Sequence, residues 1–178
     1  MAASRAELSS RLEAFHRDVD AAAADAAAGL GPRLRCARGC SGCCRDGLRV
    51  FEIEAERIRR GARALLDEGS AHAPGACAFL DAEGACRIYA LRPYVCRTQG
   101  LPLRWFDRSD AGEPVELRDI CPLNEPGDPP LSALPESACW LLGPHEAELH
   151  ALARAWDGAR RVALRDLFAA PPAPSEPE

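Results

Sequence analysis

Apolar residues near the start of the chain recur at helical spacing. Four of them, separated by four, three and four positions, lie on one helix face: Leu8, Leu12, Phe15 and Val19. Ser4 and Glu7 form a capping box just before them, so the pattern predicts a helix from about residue 5 into the alanine tract. Gly29, at the start of a Gly-Leu-Gly-Pro segment, predicts the end of this helix.

The same periodicity predicts helices in the rest of the chain. One amphipathic helix follows an extended start after residue 47 and ends near Gly69. Two more are expected after the middle region, at residues 136–142 and at about residues 145–168. Residues 101–120 look irregular or weakly extended. The pattern therefore predicts a mainly α fold, a small single domain whose irregular cysteine-rich centre is flanked by helices.

Breaks in composition divide the chain into four parts. Residues 1–34 are expected to form an N-terminal helix, and residues 35–124 a cysteine-cluster metal-binding domain. Residues 125–170 are expected to form a C-terminal helical extension packed on that domain. The tail, residues 171–178, is rich in proline and acidic residues, which predicts disorder.

Charge and hydropathy exclude some partners and compartments. The 178 residues carry a net charge of -5 and no lysine, and no basic tract is present, so we expect no nucleic-acid binding. The amino terminus lacks the apolar core of a secretory signal, and no stretch approaches the roughly 20 apolar residues of a membrane helix. The sequence therefore predicts a cytoplasmic protein without a membrane partner.

Cysteine is the residue type that carries the candidate chemistry. Eight of the nine cysteines lie between residues 36 and 121: Cys36, Cys40, Cys43, Cys44, Cys77, Cys86, Cys96 and Cys121. Disulfides are disfavoured in a reducing compartment, and an odd total fits a disulfide scaffold poorly. Thiolates suit zinc and iron–sulfur clusters, so these eight residues are predicted metal ligands. Cys139 lies in an apolar stretch and is predicted to be a buried core residue.

The spacing of the first cysteines leaves the number of metal centres open. Cys36, Cys40 and Cys43 are close enough in one loop to serve a single centre. The side chain of Cys44 does not easily point the same way as that of Cys43. The vicinal pair therefore indicates either two neighbouring centres or one ligand beside a second thiol that is not a ligand. Eight thiols could supply two four-cysteine sites, or one site with spare ligands.

Two cysteine motifs in this order resemble a known family. The first is Cys36-x3-Cys40-x2-Cys43-Cys44, and the second is the run Cys86-Arg-Ile-Tyr-x2-Arg-Pro-x2-Cys96-Arg. They resemble the YkgJ-type CxxCxxCC cysteine-cluster family over about residues 36–100, although the first gap here has three residues instead of two. The resemblance implies chelation of zinc or iron. A related domain accompanies flagellin lysine methylases, which implies an iron–sulfur cluster, 4Fe-4S being one form.

Three residues beside Cys96 are candidates to surround such a centre. Four thiolates on a metal leave a net negative charge that cations and hydrogen-bond donors stabilise. Arg92 and Arg97 could supply the cations, and Tyr89 could donate its hydroxyl. The alternative is an ordinary amphipathic segment with solvated arginines and a tyrosine in the core.

Two functions remain open on the sequence alone. The first is a metal-binding protein whose centre is structural or serves metal handling. The second is an iron–sulfur enzyme or accessory protein in redox chemistry or in peptide or protein modification. The Cys-x3-Cys-x2-Cys spacing is also that of radical SAM enzymes, but Gly42 replaces the usual aromatic residue and the barrel pattern is absent. Enzyme activity therefore has no signature of its own, and a protein partner is unidentified.

Overall fold

The computed structural model describes residues 3–168 of the chain. Its α-helices are α1 (Arg5–Ala28), α2 (Glu52–Gly61), α3 (Arg63–Glu68), α4 (Tyr94–Arg97) and α5 (Pro144–Asp157). Its strands are β1 (Arg49–Phe51), β2 (Leu103–Arg108), β3 (Pro114–Asp119), β4 (Trp140–Leu141) and β5 (Arg161–Ala163). Short 3-10 turns lie at Gly31–Arg33, Tyr89–Leu91, Leu131–Ala133, Glu136–Ala138 and Leu164–Phe168.

The first helix is the one that the sequence predicts. The Ser4 side chain accepts a hydrogen bond from the Glu7 N–H at 3.2 Å, which satisfies one of the free donors at the helix start. The predicted apolar face is buried along its whole length: Leu8, Leu12, Phe15 and Val19. The helix ends at Ala28, just before the glycine-containing turn. The prediction of α1 is confirmed.

The strands form two small sheets, and the prediction of a mainly α fold is therefore wrong. β1 pairs antiparallel with β5, with Val50 opposite Val162. In the second sheet, ordered β3-β2-β4, Trp105 of β2 lies opposite Leu117 of the antiparallel β3. β4 pairs with β2 in the parallel direction. The chain is a small single domain of mixed α/β structure.

The expected helix at residues 136–142 is replaced by a turn and a strand. A 3-10 turn at Glu136–Ala138 leads directly into β4. The Trp140 N–H then donates to the Pro102 carbonyl at 2.7 Å, and the Leu142 N–H donates to the Arg104 carbonyl at 2.9 Å. Pairing with a strand that is distant in sequence outweighs local helix propensity here.

The last predicted helix is shorter than its apolar pattern indicates. α5 ends at Asp157 because Gly158 adopts a left-handed conformation with φ 81°, a common helix stop. Residues 161–163 then form β5 and pair with β1. The apolar residues beyond Gly158 therefore belong to a strand and a 3-10 turn, and their burial does not depend on helical continuation.

Two further segments differ from the predicted elements. The single helix expected to end near Gly69 is broken at Ala62 into α2 and α3, and the second piece ends at Glu68. The segment expected to be irregular or weakly extended is a hairpin of β2 and β3. Its turn is closed by the Ser109 N–H, which donates to the Glu113 carbonyl at 2.9 Å, and by Gly112 with φ 81°.

Two apolar cores support these elements. The larger core packs α1 against α5 and includes Phe15, Val19, Leu149, Leu152, Trp156, Trp140 and Cys139. The smaller core contains Val50, Ile58, Cys77, Phe79, Leu80, Ile88, Leu164 and Leu167. The second core reaches the cysteine-rich region, and Cys77 is one of its buried members. Cys139 lies in the first core, as predicted.

Some sequence predictions are not tested by this fold. Within residues 3–168, every helix is too short or too polar to cross a membrane. The predicted division at residues 34 and 124 remains a prediction. The tail at residues 171–178 lies outside the described residues.

Candidate metal centre

The first four cysteines lie in a loop of consecutive turns between α1 and β1. The Cys40 N–H donates to the Ala37 carbonyl at 3.0 Å, and the Cys44 N–H donates to the Ser41 carbonyl at 2.8 Å. Gly39 has φ 86°, a conformation that glycine adopts without strain. These turns fold the loop back on itself, so that residues 36–44 occupy a small volume.

A second segment brings two more cysteines beside this loop. The Cys77 N–H donates to the Cys44 carbonyl at 2.9 Å, which joins the two segments directly. A turn follows at residues 81–84, with the Gly84 N–H donating to the Asp81 carbonyl at 3.2 Å. An isolated β-bridge between Leu80 and Cys86 then places Cys86 beside the end of the Cys77 turn.

Cys96 lies on α4, a single helical turn whose first residue is hydrogen-bonded to the buried carboxylate of Glu54. Oε1 of Glu54, in α2, accepts a hydrogen bond from the Tyr94 N–H at 2.7 Å, at the start of α4. The same oxygen lies 3.2 Å from Nε2 of His16 in α1. Pro93 is the residue just before the helix, as its missing N–H allows. Glu54 thereby fixes the position of the helix that carries Cys96.

Seven of the eight predicted ligands line one cavity of about 670 Å³. They are Cys36, Cys40, Cys43, Cys44, Cys77, Cys86 and Cys96. Apolar side chains of the smaller core, among them Leu48, Phe79 and Leu164, line the same cavity. Cysteines from three separate segments of the chain therefore face a common space.

Cys121 is the predicted ligand that does not line this cavity within residues 3–168. It is connected to the first cysteine loop through Asn124, which is fully buried. Nδ2 of Asn124 donates to Sγ of Cys36 at 3.3 Å and to the Gly100 carbonyl at 2.9 Å. The Asn124 N–H donates to the Cys121 carbonyl at 2.8 Å. Asn124 therefore contacts the thiol of Cys36 through its side chain and the carbonyl of Cys121 through its N–H.

The electrostatic environment of the cavity disfavours free thiolates. Burial, with a further contribution from neighbouring thiols, raises the pKa of Cys44 to about 12 and that of Cys96 to about 12. The pKa of Cys86 is also raised, again mainly by burial. These groups are protonated at neutral pH when no cation is present. A bound cation would stabilise the deprotonated form, so metal binding would release protons.

The cysteine thiols are suited to a soft metal, although their sulfur atoms do not converge on one position. All nine cysteines are free thiols. Among residues 3–168, no three cysteine, histidine, aspartate or glutamate side chains stand in an arrangement that holds a metal ion. The assignment of ligands therefore rests on which thiols lie together and on thiolate chemistry, which suits zinc and iron–sulfur clusters.

The three predicted neighbours of the centre occupy different positions. The guanidinium of Arg92 lies 3.8 Å from the centre of the Tyr89 ring and donates to the Cys96 carbonyl at 3.3 Å. Arg92 and Tyr89 both line the cysteine cavity, and Tyr89 is exposed. Arg97 is buried and pairs with Asp20 of α1. The structure brings Arg92 and Tyr89 to the cysteines and directs Arg97 towards α1.

An ion pair that the sequence analysis missed connects the cysteine loops to the 3-10 turn at Leu164–Phe168. Both oxygens of the Asp46 carboxylate accept hydrogen bonds from the Arg165 guanidinium, each at 2.9 Å. Arg165 also donates to the carbonyls of His72 at 2.6 Å and of Ala76 at 2.9 Å. Asp46 follows Cys44 by two residues, and Ala76 precedes Cys77. No local pattern in the sequence predicts a contact between residues so far apart.

These features define the class of protein: a small mixed α/β domain in which seven thiols line one cavity. Residues 35–121 match the model of the CxxCxxCC family, described as "Putative zinc- or iron-chelating domain". That segment contains all eight predicted ligands. The family resemblance seen in the sequence is confirmed. The chain matches no curated protein and no solved structure.

Proposed function

We propose that the chain chelates zinc or an iron–sulfur cluster through its eight clustered cysteines and that the centre holds the middle of the domain together or serves metal handling. One observation carries the proposal: seven of these cysteines line a single cavity. The family match supports metal chelation within the segment that contains these cysteines. The proposed ligands are Cys36, Cys40, Cys43, Cys44, Cys77, Cys86, Cys96 and Cys121.

The positions of the ligands support a structural contribution. They lie in a loop before β1, in a turn after α3, on the one-turn helix α4 and beyond the hairpin of β2 and β3. Metal ligation would close the long loops between these segments, so the free energy of metal binding would also be free energy of folding. The segments already meet through the hydrogen bond from Cys77 to Cys44 and through packing of Cys44, Cys77 and Cys86 in the smaller core, and ligation would add to these contacts.

Arg92 is the residue that we propose as the compensating cation. Its charge opposes the rise in the pKa of Cys86 and of Cys96, which supports this role. A four-thiolate centre is anionic, so a nearby guanidinium lowers its electrostatic energy. Tyr89 positions Arg92 by stacking. Arg97 contributes by holding α4 against α1 through Asp20.

The proposal also includes a compartment and a partner. Nine free thiols persist in a reducing environment, which supports placement in the cytoplasm. The metal ion is the partner that the donor set favours, and the acidic chain offers no basic tract for nucleic acid.

The test is anaerobic purification followed by metal and sulfide analysis and an electronic absorption spectrum. A colourless protein with stoichiometric zinc supports zinc chelation and contradicts the iron–sulfur form. A brown protein with matching iron and sulfide supports the iron–sulfur form, which the alternative enzymatic role requires. The Cys139→Ala variant is the matched control, because this cysteine lies in the larger core and should leave the metal content unchanged. A chain without metal contradicts the proposal.

A further inference from the structure

Four of the eight cysteines form an inner group. Cys44 and Cys77 are joined by the backbone hydrogen bond described above, at 2.9 Å. The Leu80 N–H donates to the Cys77 carbonyl at 3.1 Å, and Leu80 is the bridge partner of Cys86. Cys96 faces the same cavity. Cys44 and Cys86 also pack against the smaller core, of which Cys77 is a buried member. The thiols of these three residues, after burial, raise the pKa of Cys96, which supports its place in the same group.

The remaining four cysteines form an outer group. The buried Asn124 contacts two of them: its side chain donates to the thiol of Cys36, and its N–H donates to the carbonyl of Cys121. Cys40 follows Cys36 in one tight turn. Cys43 follows Cys40 in the same loop, and the thiols of Cys40 and Cys121, together with burial, raise the pKa of Cys43, which supports its place in this group. Each group therefore contains four thiols, the number that closes a tetrahedral zinc site or holds one iron–sulfur cluster.

The adjacent residues Cys43 and Cys44 belong to different groups. Cys43 and Cys44 are adjacent in sequence, yet their surroundings differ: Cys44 packs against the smaller core with Cys77 and Cys86, whereas Cys43 follows Cys40 in the first cysteine loop. The thiols of Cys40 and Cys121 raise the pKa of Cys43, and those of Cys77 and Cys86 raise the pKa of Cys44, which agrees with this difference. One residue of the pair therefore serves each group.

The two groups differ in their access to solvent. The inner group includes Cys77, which is buried in the smaller core. The outer group includes Cys36, which is exposed and lines a second cavity of about 470 Å³ beside Asp20 and Ala23 of α1. A competing ligand in solution can reach the Cys36 thiol by this route without opening the smaller core.

We propose that the chain holds two adjoining four-thiolate centres, an inner one (Cys44, Cys77, Cys86 and Cys96) that retains its metal and an outer one (Cys36, Cys40, Cys43 and Cys121) that exchanges it. This assignment rests on the proposed function and gives it a division of roles. The inner centre stabilises the fold. The outer centre serves metal handling, because a chelator or acceptor can take its metal while protons replace the metal on the thiolates.

The experiment counts metal centres and follows their release from the full-length chain, purified anaerobically with its metal. A colorimetric chelator is added, and release is recorded over time. The expected result is two centres per chain and two phases of equal amplitude, a fast one from the outer centre and a slow one from the inner centre. One centre per chain, or release in one phase, overturns the assignment. A chain without metal overturns the proposed function together with the assignment.

Two adjacent substitutions form a matched pair for this test. Cys43→Ala should remove the fast half of the metal, and Cys44→Ala should remove the slow half. Cys36→Ala and Cys121→Ala should each reproduce the loss seen with Cys43→Ala, and these outer variants decide the matter if Cys44→Ala does not fold. Equal loss from both phases in the outer variants contradicts the partition.

Discussion

Asp46 and Arg165 form a bidentate ion pair between residues 119 positions apart in the sequence. Nε and Nη2 of Arg165 each lie 2.9 Å from a carboxylate oxygen of Asp46. Arg165 also holds the carbonyls of His72 and Ala76. The guanidinium thus connects the loop that carries Cys44 to the segment that leads into Cys77.

Replacing Arg165 should weaken metal binding although the residue donates no ligand atom. Partners that orient metal ligands typically affect metal affinity by about 10–100-fold, and we expect a loss in this range for Arg165→Ala. Arg165→Lys should recover little, because an ammonium group does not reproduce the planar two-point contact. Competition with a chelator of known affinity measures the change.

The control for this prediction is Arg11→Ala, which removes an exposed arginine of α1. It should leave metal affinity unchanged. Asp46→Asn should weaken metal binding in the same way as Arg165→Ala. The metal affinity of the double variant should be no lower than that of the single variant with the lower affinity. Full additivity of the two substitutions would show that the residues act separately.

Elements whose pattern and boundaries are local could be predicted from the sequence. α1 is the clearest case, because Ser4 supplies its cap and the buried residues Leu8 to Val19 repeat at helical spacing. The turn at residues 81–84 likewise depends on neighbouring residues only. Both are decided by short-range interactions, which a single sequence contains.

Elements that depend on distant partners could not be predicted in this way. β4 has two residues and exists because the carbonyls of Pro102 and Arg104 accept its hydrogen bonds. β5 pairs with β1 across most of the chain, and the apolar residues of β5 continue a helical pattern past Gly158. The left-handed Gly158 was the available signal for the end of α5.

The same distinction between local and distant interactions applies to the candidate site. Thiol chemistry and spacing identify the cysteines, because ligand type is a property of the residue. The separation into inner and outer groups depends on tertiary contacts, such as the hydrogen bond from Asn124 to Cys36. The support from Glu54, Asn124 and Arg165 comes from residues that have no motif of their own.

Asn124→Ala should destabilise the outer group of cysteines. The substitution leaves the Gly100 carbonyl and the Arg35 N–H without their partner, because Oδ1 of Asn124 accepts from that N–H at 2.9 Å. A buried polar group that loses its partner costs about 1–3 kcal/mol, and Asn124 is fully buried. Chemical denaturation should show a loss of this size. Leu123→Ala, at an exposed neighbouring position, is the control and should change stability little.

His16 should make stability depend on pH between neutrality and mild acidity. Burial lowers the pKa of His16 below 6.5, although the carboxylate of Glu54 opposes the shift. The unfolded chain therefore takes up this proton first as the pH falls. The stability that neutral His16 contributes is present above pH 6.5 and is lost as the pH falls below it. The free energy of unfolding should change by at most about 1.4 kcal/mol per pH unit from this residue.

The test compares the free energy of unfolding of wild-type and His16→Gln chains at several pH values from 5.5 to 7.5. The amide does not titrate, so the variant should show a flatter dependence. Metal-linked protonation is common to both chains and cancels in the difference. His150→Gln, at an exposed position of α5, should keep the wild-type slope. Parallel curves for wild type and His16→Gln would exclude this role of His16.

Metal removal should loosen the cysteine region and leave the larger core folded. Residues 36–44 are held by turns and few backbone hydrogen bonds, and residues 77–86 pack in the smaller core beside the cysteine cavity, whereas α1 and α5 bury a continuous apolar face against each other in the larger core. After treatment with a chelator under reducing conditions, hydrogen exchange should accelerate at least about tenfold in the two cysteine segments, which corresponds to about 1.4 kcal/mol of local stability. Amides of α1 and α5 should stay protected, and addition of Zn²⁺ should restore protection of the cysteine segments. Uniform acceleration in all helices would instead mean that the metal stabilises the whole domain, and unchanged exchange would mean that the cysteine loops are stable without it.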